Sequence, residues 1–290
     1  MSKNVAASVR ARLLTLAKAQ GVDFNQMLVR FALERILYRL GRSAHADRFL
    51  LKGALLFNLW YDMPHRPTRD ADLLGFGPSD LGSIARMFRD IAGIDANDGM
   101  TFDPASVAVE NIRKEAGYAG VRVMIGGEIA KARCKTQVDI GFGDAVTPGP
   151  VAATYPVLLE DLPAPRVLTY PVYTVVAEKL HAIALLGMAN SRLKDYLDLS
   201  VLLVREDLDS ETLAGAIAAT FIRRGMAVPA SMPIGLTDEF SGDASRQALW
   251  HAFLAKNGLA RQGLPEVVRM LGTKLEPALL RAASLSQSSR

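Results

Sequence analysis

The stretch Phe49-Leu-Leu-Lys-Gly-Ala-Leu-Leu-Phe-Asn-Leu-Trp-Tyr-Asp-Met-Pro-His-Arg-Pro-Thr-Arg-Asp-Ala-Asp-Leu-Leu-Gly75 constrains the fold more than any other part of the chain. Its apolar opening, Phe49 to Leu51, suits a buried strand, and Lys52-Gly53 marks a tight turn. Leu55, Leu56, Leu59 and Trp60 then recur at helical spacing. Pro64 and Pro67 end that helix and leave a polar loop with Arg66, Thr68 and Arg69. From Asp70 a second strand is expected, in which Asp70 and Asp72 alternate with Ala71 and Leu73. Residues two apart on a strand share a face, so the two carboxylates converge just past a cationic loop.

Two carboxylates on one strand face can bridge a pair of divalent cations, which in phosphoryl-transfer sites lie about 3.5–4 Å apart and clamp the attacking and leaving oxygens. The strand–turn–helix unit before them offers backbone N–H groups to a phosphate tail. A third carboxylate is expected further on, because Asp139 stands in an apolar strand between Val138 and Ile140. A buried unpaired carboxylate is costly, so Asp139 needs a cation, a metal or a hydrogen-bond network. Its expected role is to bind the metal and accept the proton of an attacking hydroxyl; the bland alternative is a turn-capping aspartate. Asp144, after two glycines, reads as a turn residue.

The rest of the chain frames this unit. Helices are expected over residues 4–20 and from Phe24 to Leu40, with Asp23 and Gln26 as a capping pair. Glu34, Arg35, Arg39 and Arg42 are assigned to the solvated face of the second helix. Another helix is expected over Leu81 to Ile91, followed by extended segments at 107–112, 120–125 and 129–140 with Gly126-Gly127 as a hairpin turn. Six prolines between residues 145 and 171 mark a surface connection. Beyond it the pattern is helical: Val175 to Met188 capped by Thr174, about Leu193 to Val204, and further helices near 211–223, 246–256 and 265–271. The expected domains are therefore 1–145, a connection 146–172, a helical domain 173–284 and a disordered tail 285–290.

Charge is modest. The net charge of +4 and pI near 9.2 permit a nucleic-acid partner through local patches but do not require one. No apolar run of 18–20 residues is evident, the N-terminal residues show no secretory pattern, and Cys134 alone cannot form an intramolecular disulfide. A cytoplasmic protein without a membrane partner is expected, and Cys134 reads as an ordinary strand cysteine.

A second charged group lies in the helical half: Glu178-Lys179-Leu-His-Ala182, then Ser191-Arg192-Leu-Lys194-Asp195-Tyr-Leu-Asp198. Residues three and four apart on a helix are neighbours. Lys179 and Lys194 are expected to hold phosphates, with Asp195 and Asp198 orienting those lysines or Arg192 across a cleft from the first group. His181 reads as a helix histidine without a catalytic role.

The early elements resemble the nucleotidyltransferase core of the DNA polymerase β superfamily. The ordered set Glu34-Arg-x-Leu-Tyr-Arg-Leu, Phe49-Leu-Leu-Lys-Gly, Arg66-x-Thr-Arg-Asp-x-Asp, Val138-Asp-Ile-Gly-Phe-Gly-Asp, Ala177-Glu-Lys-Leu-His-Ala and Ser191-Arg-x-Lys-Asp-Tyr-x-Asp resembles the AbiEii/AbiGii toxin family over residues 20–205. These are nucleotidyltransferases of type IV toxin–antitoxin and phage abortive-infection systems, similar to the mycobacterial MenT toxins, some of which extend the 3′ end of tRNA. The resemblance implies an α+β fold with a mixed sheet, N-terminal helices and a C-terminal helical domain. It implies an enzyme moving a nucleoside monophosphate from an NTP, with Mg2+ or Mn2+ on Asp70, Asp72 and Asp139, and Lys194 and Asp195 as further catalytic residues. Lys52, Gly53, Ala54, Arg69, Lys179 and Arg192 would bind the nucleotide. The implied partners are a tRNA acceptor and a cognate protein antitoxin, of which a transcriptional regulator is one candidate. A protein hydroxyl as acceptor, or a regulatory module that binds nucleotide without turnover, are the alternatives. One departure is Gly53-Ala54, where the superfamily often has Gly-Ser or Gly-Gly-Ser; no hydroxyl is available at this turn, leaving its backbone N–H groups.

Overall fold

A computed structural model describes residues 3–61, 68–113 and 119–288. Arg66, Pro64 and Pro67 fall outside the described residues. The chain divides into two compact units, one of residues 1–143 with 151–169, the other of residues 144–150 with 170–290.

The first unit opens with α1 (Lys3–Gln20) and α2 (Phe24–Arg42). The Asp23 side chain accepts from the amides of Asn25 and Gln26, satisfying two donors that α2 cannot pair internally. β1 (Phe49–Lys52), α3 (Leu55–Tyr61) and β2 (Asp70–Gly75) follow, so the strand–turn–helix–strand unit has the expected order. Next come α4 (Leu81–Ala92), β3 (Thr101–Phe102), β4 (Ala108–Arg113), β5 (Ala119–Ile129), β6 (Ala132–Phe142), β7 (Val151–Thr154) and β8 (Arg166–Thr169). One mixed sheet runs in the order β3-β5-β6-β2-β1-β8-β7, with β4 also on β5. β2 is antiparallel to β1 and parallel to β6. Val138 and Ile140 of β6 and Val121, Val123 and Ile125 of β5 are buried at every second position, the pattern of a sheet with one face in the core. α2 packs on β6 and β8, and α4 on β4 and β5.

Three expectations for this unit are corrected. Glu34, Arg35 and Arg39 are not solvated; each is at most 2% exposed. Arg39 donates to both Asp98 oxygens at 2.8 and 3.1 Å and to the Met100 carbonyl at 2.7 Å. Arg35 pairs with Glu34 at 2.6 Å, and Glu34 accepts from the Leu158 amide at 2.7 Å. Buried charges survive when paired and hydrogen-bonded, and apart from the neighbouring Glu34–Arg35 pair these partners, Asp98, Met100 and Leu158, lie far away in sequence. Second, the β5–β6 turn is Ala130-Lys131, both at positive φ, 43° and 68°, while Gly126 and Gly127 lie inside β5. A Cβ on Gly127 would press on the Phe102 ring and the Cys134 sulfur, so that glycine serves packing. Third, the proline-rich span 146–172 carries β7 and β8, because its prolines leave Val151–Thr154 and Arg166–Thr169 clear to pair.

The second unit is helical: α5 (Val172–Leu186), α6 (Leu193–Arg205), α7 (Ser210–Arg223), α8 (Asp238–Gly242), α9 (Ala244–Lys256) and α10 (Leu264–Ser288). α5 packs on α6 and α7, and α10 on α6, α7 and α8. Pro171 precedes α5, and Thr174 lies inside it, its hydroxyl accepting from the Thr147 amide at 2.9 Å and donating to the Thr147 carbonyl at 3.0 Å. The tail expected to be disordered instead continues α10 to Ser288, carried by Ala278, Leu279, Ala282 and Ala283 on the buried side. The expectation that no apolar run reaches 18 residues is corrected: Val172–Ala189 is long and apolar enough, by length and composition, to cross a membrane. Its midpoint carries Glu178 and Lys179, both ion-paired within the unit.

Candidate active site

The sheet register builds the first group. Lys52 is the Cα partner of Asp72, Asp72 of Asp139, Asp139 of Arg122 and Arg122 of Glu110. One row of alternating and like charges therefore crosses five strands. Directly paired residues share a sheet face, and this row's parity is opposite to that of the buried Val138 and Ile140. Asp70 lies two residues before Asp72, on the same face, and is the partner of Gln137. The register places Asp70 and Asp72 of β2 and Asp139 of β6 on one face of neighbouring strands.

Each carboxylate has its own setting. The Thr68 hydroxyl donates to Asp70 Oδ1 at 2.8 Å. Gly53, at φ +71°, brings the β1–α3 turn so close to Asp72 that a Cβ there would lie 2.9 Å from the Asp72 Cβ. Only glycine fits both the conformation and the approach. Asp139, 6% exposed, accepts from Arg122 Nε and Nη2, each at 2.9 Å, and from Gln137 Nε2 at 3.2 Å. The hydrogen bond to Asp139 holds Arg122 above its ordinary range, aided by the charges of Glu110 and Asp70. Arg69 is exposed at the mouth of β2, and Ala54 is half-buried in the turn.

Among the described residues no three His, Cys, Asp or Glu side chains form a ready metal cage. The donor set still suits a hard cation. Mg2+ usually takes one or two carboxylates and completes its shell with water and substrate phosphate, and Asp70 and Asp72 offer two carboxylates on one face.

The helical unit holds the second group. Lys179 Nζ donates to Asp195 Oδ1 at 2.8 Å and to Asp198 Oδ2 at 2.6 Å, and Arg192 Nε donates to Asp195 Oδ2 at 2.7 Å. Asp195 and Asp198 are buried, while Lys179 keeps 13% of its side chain exposed. Burial alone would raise Asp195, but Lys179 and Arg192 hold it below the usual carboxylate value. Burial alone would likewise depress Lys179, and the two aspartates hold it above the usual lysine value. Lys194 is not in this cluster: it is exposed on α6. A separate cluster forms around Arg224, which pairs with Asp144 at 3.1 Å and Glu178 at 3.0 Å. The Tyr170 hydroxyl donates to Asp144 at 3.1 Å. Burial, then Glu178 and Asp144, push Tyr170 far above its ordinary value. Asp144, expected as a turn residue, is instead an ion-pair residue.

The sequence reading missed Arg122. Its signal was parity: it stands on the polar side of an alternating strand, but its partner is fixed only by the register.

A mixed sheet with a glycine turn packed on a two-carboxylate strand is the layout of a nucleotidyltransferase, and the family comparison gives that class. Residues 35–268 match the nucleotidyl transferase AbiEii toxins of type IV toxin–antitoxin systems, and the chain belongs to that family. Among solved structures, the chain is similar to JHP933 from Helicobacter pylori at 14% identity, TM-score 0.50, covering 91% of this chain and 95% of that one. It also aligns with an H. pylori protein provisionally described as a nucleotidyltransferase, at 15% identity and TM-score 0.48 over 93% and 99% of the two chains. The first likeness is one of fold. No curated protein matches the chain.

Proposed function

We propose that the chain transfers a nucleoside monophosphate from an NTP to an acceptor hydroxyl, with the 3′ end of tRNA as acceptor. The observation that carries this reading is the carboxylate face: Asp70 and Asp72 on β2, Asp139 beside Asp72 on β6, and the Gly53 turn against Asp72. A divalent cation held by Asp70 and Asp72 would neutralise charge building on the α-phosphate. The acceptor oxygen attacks the α-phosphorus, its proton passes to Asp139, the bond from the α-phosphorus to the bridging oxygen breaks, and pyrophosphate leaves. Lys52, the backbone of Gly53 and Ala54, and Arg69 are the proposed nucleotide contacts of the sheet unit. Lys179, Arg192, Lys194 and Asp195 are proposed as the helical unit's phosphate-handling residues. In that reading Asp195 and Asp198 fix the Lys179 ammonium in place. Blocking the tRNA 3′ end would stop aminoacylation, which suits a toxin whose partner is an antitoxin.

The test is transfer of α-labelled NTP to total RNA and total protein by the wild type and Asp72→Asn. Label on tRNA that Asp72→Asn abolishes supports the reading. Label confined to protein replaces it with protein nucleotidylation, and nucleotide binding without any transfer replaces it with a regulatory module.

A further inference from the structure

We propose that Arg122 is a positioning residue, the resident counter-ion of Asp139 that a divalent cation must displace to complete the carboxylate face. The inference rests on the reading above, in which Asp70 and Asp72 hold that cation.

The geometry points to displacement and not to a permanent brace. Arg122 grips both Asp139 oxygens at 2.9 Å, so the guanidinium occupies the lone pairs that a cation would need. Asp139 stands next in register to Asp72, so without a cation two carboxylates would face each other on adjacent strands, about 5 Å apart between Cα atoms. A guanidinium relieves that repulsion with a bidentate pair. Yet Arg122 is one-third exposed, at 33%, whereas its partner is 9% exposed, so the cation side of the pair can leave toward water. It also has a second carboxylate in its row: Glu110 is its cross-strand partner on β4, and Glu110 is exposed. A divalent ion brings two charges to hard oxygen donors where arginine brings one. Arg122 thereby sets the affinity of the face for metal.

The test is Mn2+ binding to the full chain, followed by electron paramagnetic resonance, in the wild type, Arg122→Gln, Asp139→Asn, the Arg122→Gln/Asp139→Asn double variant and Asp70→Asn/Asp72→Asn. A thermal melt confirms that each variant folds. Arg122→Gln is expected to tighten Mn2+ binding about 5- to 10-fold when Asp139 is present. In the Asp139→Asn background the same substitution is expected to change it less than about 2-fold, because the gain comes through the freed carboxylate; a double-mutant cycle isolates such a pairwise effect. Equal tightening in both backgrounds would mean a general field effect and overturn the proposal. No tightening, or weaker binding, would make Arg122 a structural brace and overturn it as well. If Asp70→Asn/Asp72→Asn binds Mn2+ as the wild type does, the proposed metal site itself is wrong, a different result from failure of the cycle alone. Should Arg122→Gln not fold, Arg122→Lys keeps the charge but loses the fork, and a smaller Asp139-dependent gain is expected.

Discussion

At Gly53 one missing carbon fixes the geometry of the proposed site. Its φ of +71° and the nearness of Asp72 leave no room for a side chain. Gly53→Ala is expected to cost about 1–2 kcal/mol from the left-handed conformation, with more from the clash. Because the clash falls on the Asp72 carboxylate, activity should fall more than stability does. A urea titration together with labelled-NTP transfer checks this; equal, small losses in both would mean that the turn does not set the carboxylate. Asp72→Asn tests the same atoms differently. It keeps the volume, removes the charge, and is expected to leave the melting temperature within a few degrees while abolishing transfer.

The elements show why some residues were legible in the sequence and others were not. The elements β1, α3 and β2 were legible because their turn chemistry, helical spacing and alternation are all local. Arg192, Asp195 and Asp198 were legible as neighbours because they stand three apart, whereas the pairing of Lys179 on α5 with the two aspartates, and the exposure of Lys194, are fixed by how α5 packs on α6. Arg35 and Arg39 were misread because a charged stripe on α2 looks the same whether water or Asp98 meets it, and Asp98 is 59 residues from Arg39. Gly126-Gly127 was misread because a glycine pair signals a turn more loudly than Ala130-Lys131, though packing against Phe102 is what uses Gly127. The buried helix cluster yields its own expectation. Lys179→Met leaves Asp195 and Asp198 without their shared ammonium, and removing one partner of a buried pair costs about 3–5 kcal/mol. The loss should appear as a lower urea midpoint at neutral pH. Lys179→Met/Asp195→Leu/Asp198→Leu should recover part of it. If the single variant is as stable as the wild type, the network carries little of the unit's stability.

The same helices set a pH signature. His181, 2% exposed on α5, is pushed down to about 4 by burial and then by the Arg224 charge. Its folded value lies below the ordinary 6.5, so the unfolded chain takes the proton first as pH falls. Stability should be level above about pH 7 and decline as pH drops from about 6.5 toward 4. Asp195 also has a depressed value, so its contribution is present above the ordinary carboxylate range and is lost only at still lower pH. Melting temperatures from pH 8 to pH 4 in wild type and His181→Gln test the first window. The variant should flatten the decline between pH 6.5 and 4; an unchanged slope would assign it to other groups.

Across the whole molecule, charge is unevenly distributed. Residues 1–48 hold nine Lys or Arg against three Asp or Glu, while the entire chain nets only +4. Arg35 and Arg39 are buried in ion pairs and offer nothing to a partner, but Arg10, Lys18 and Arg42 of the same segment are exposed and Arg30 is half-buried at the surface of the first unit. Metal-bound NTP needs only a few cations, so this surplus fits an acceptor that is itself a polyanion. Each phosphate contact releases counterions, and with about four contacts at a slope near 0.7 each, affinity should fall roughly 50-fold between 50 and 200 mM salt. A protein acceptor would show a shallower dependence. Fluorescence anisotropy with labelled tRNA over that salt range gives the slope. Arg10→Gln/Lys18→Gln should reduce it by up to about two contacts while leaving the labelling of a short 3′-end mimic unchanged. A flat salt dependence in the wild type would remove tRNA as the acceptor, whatever the fate of the carboxylate site.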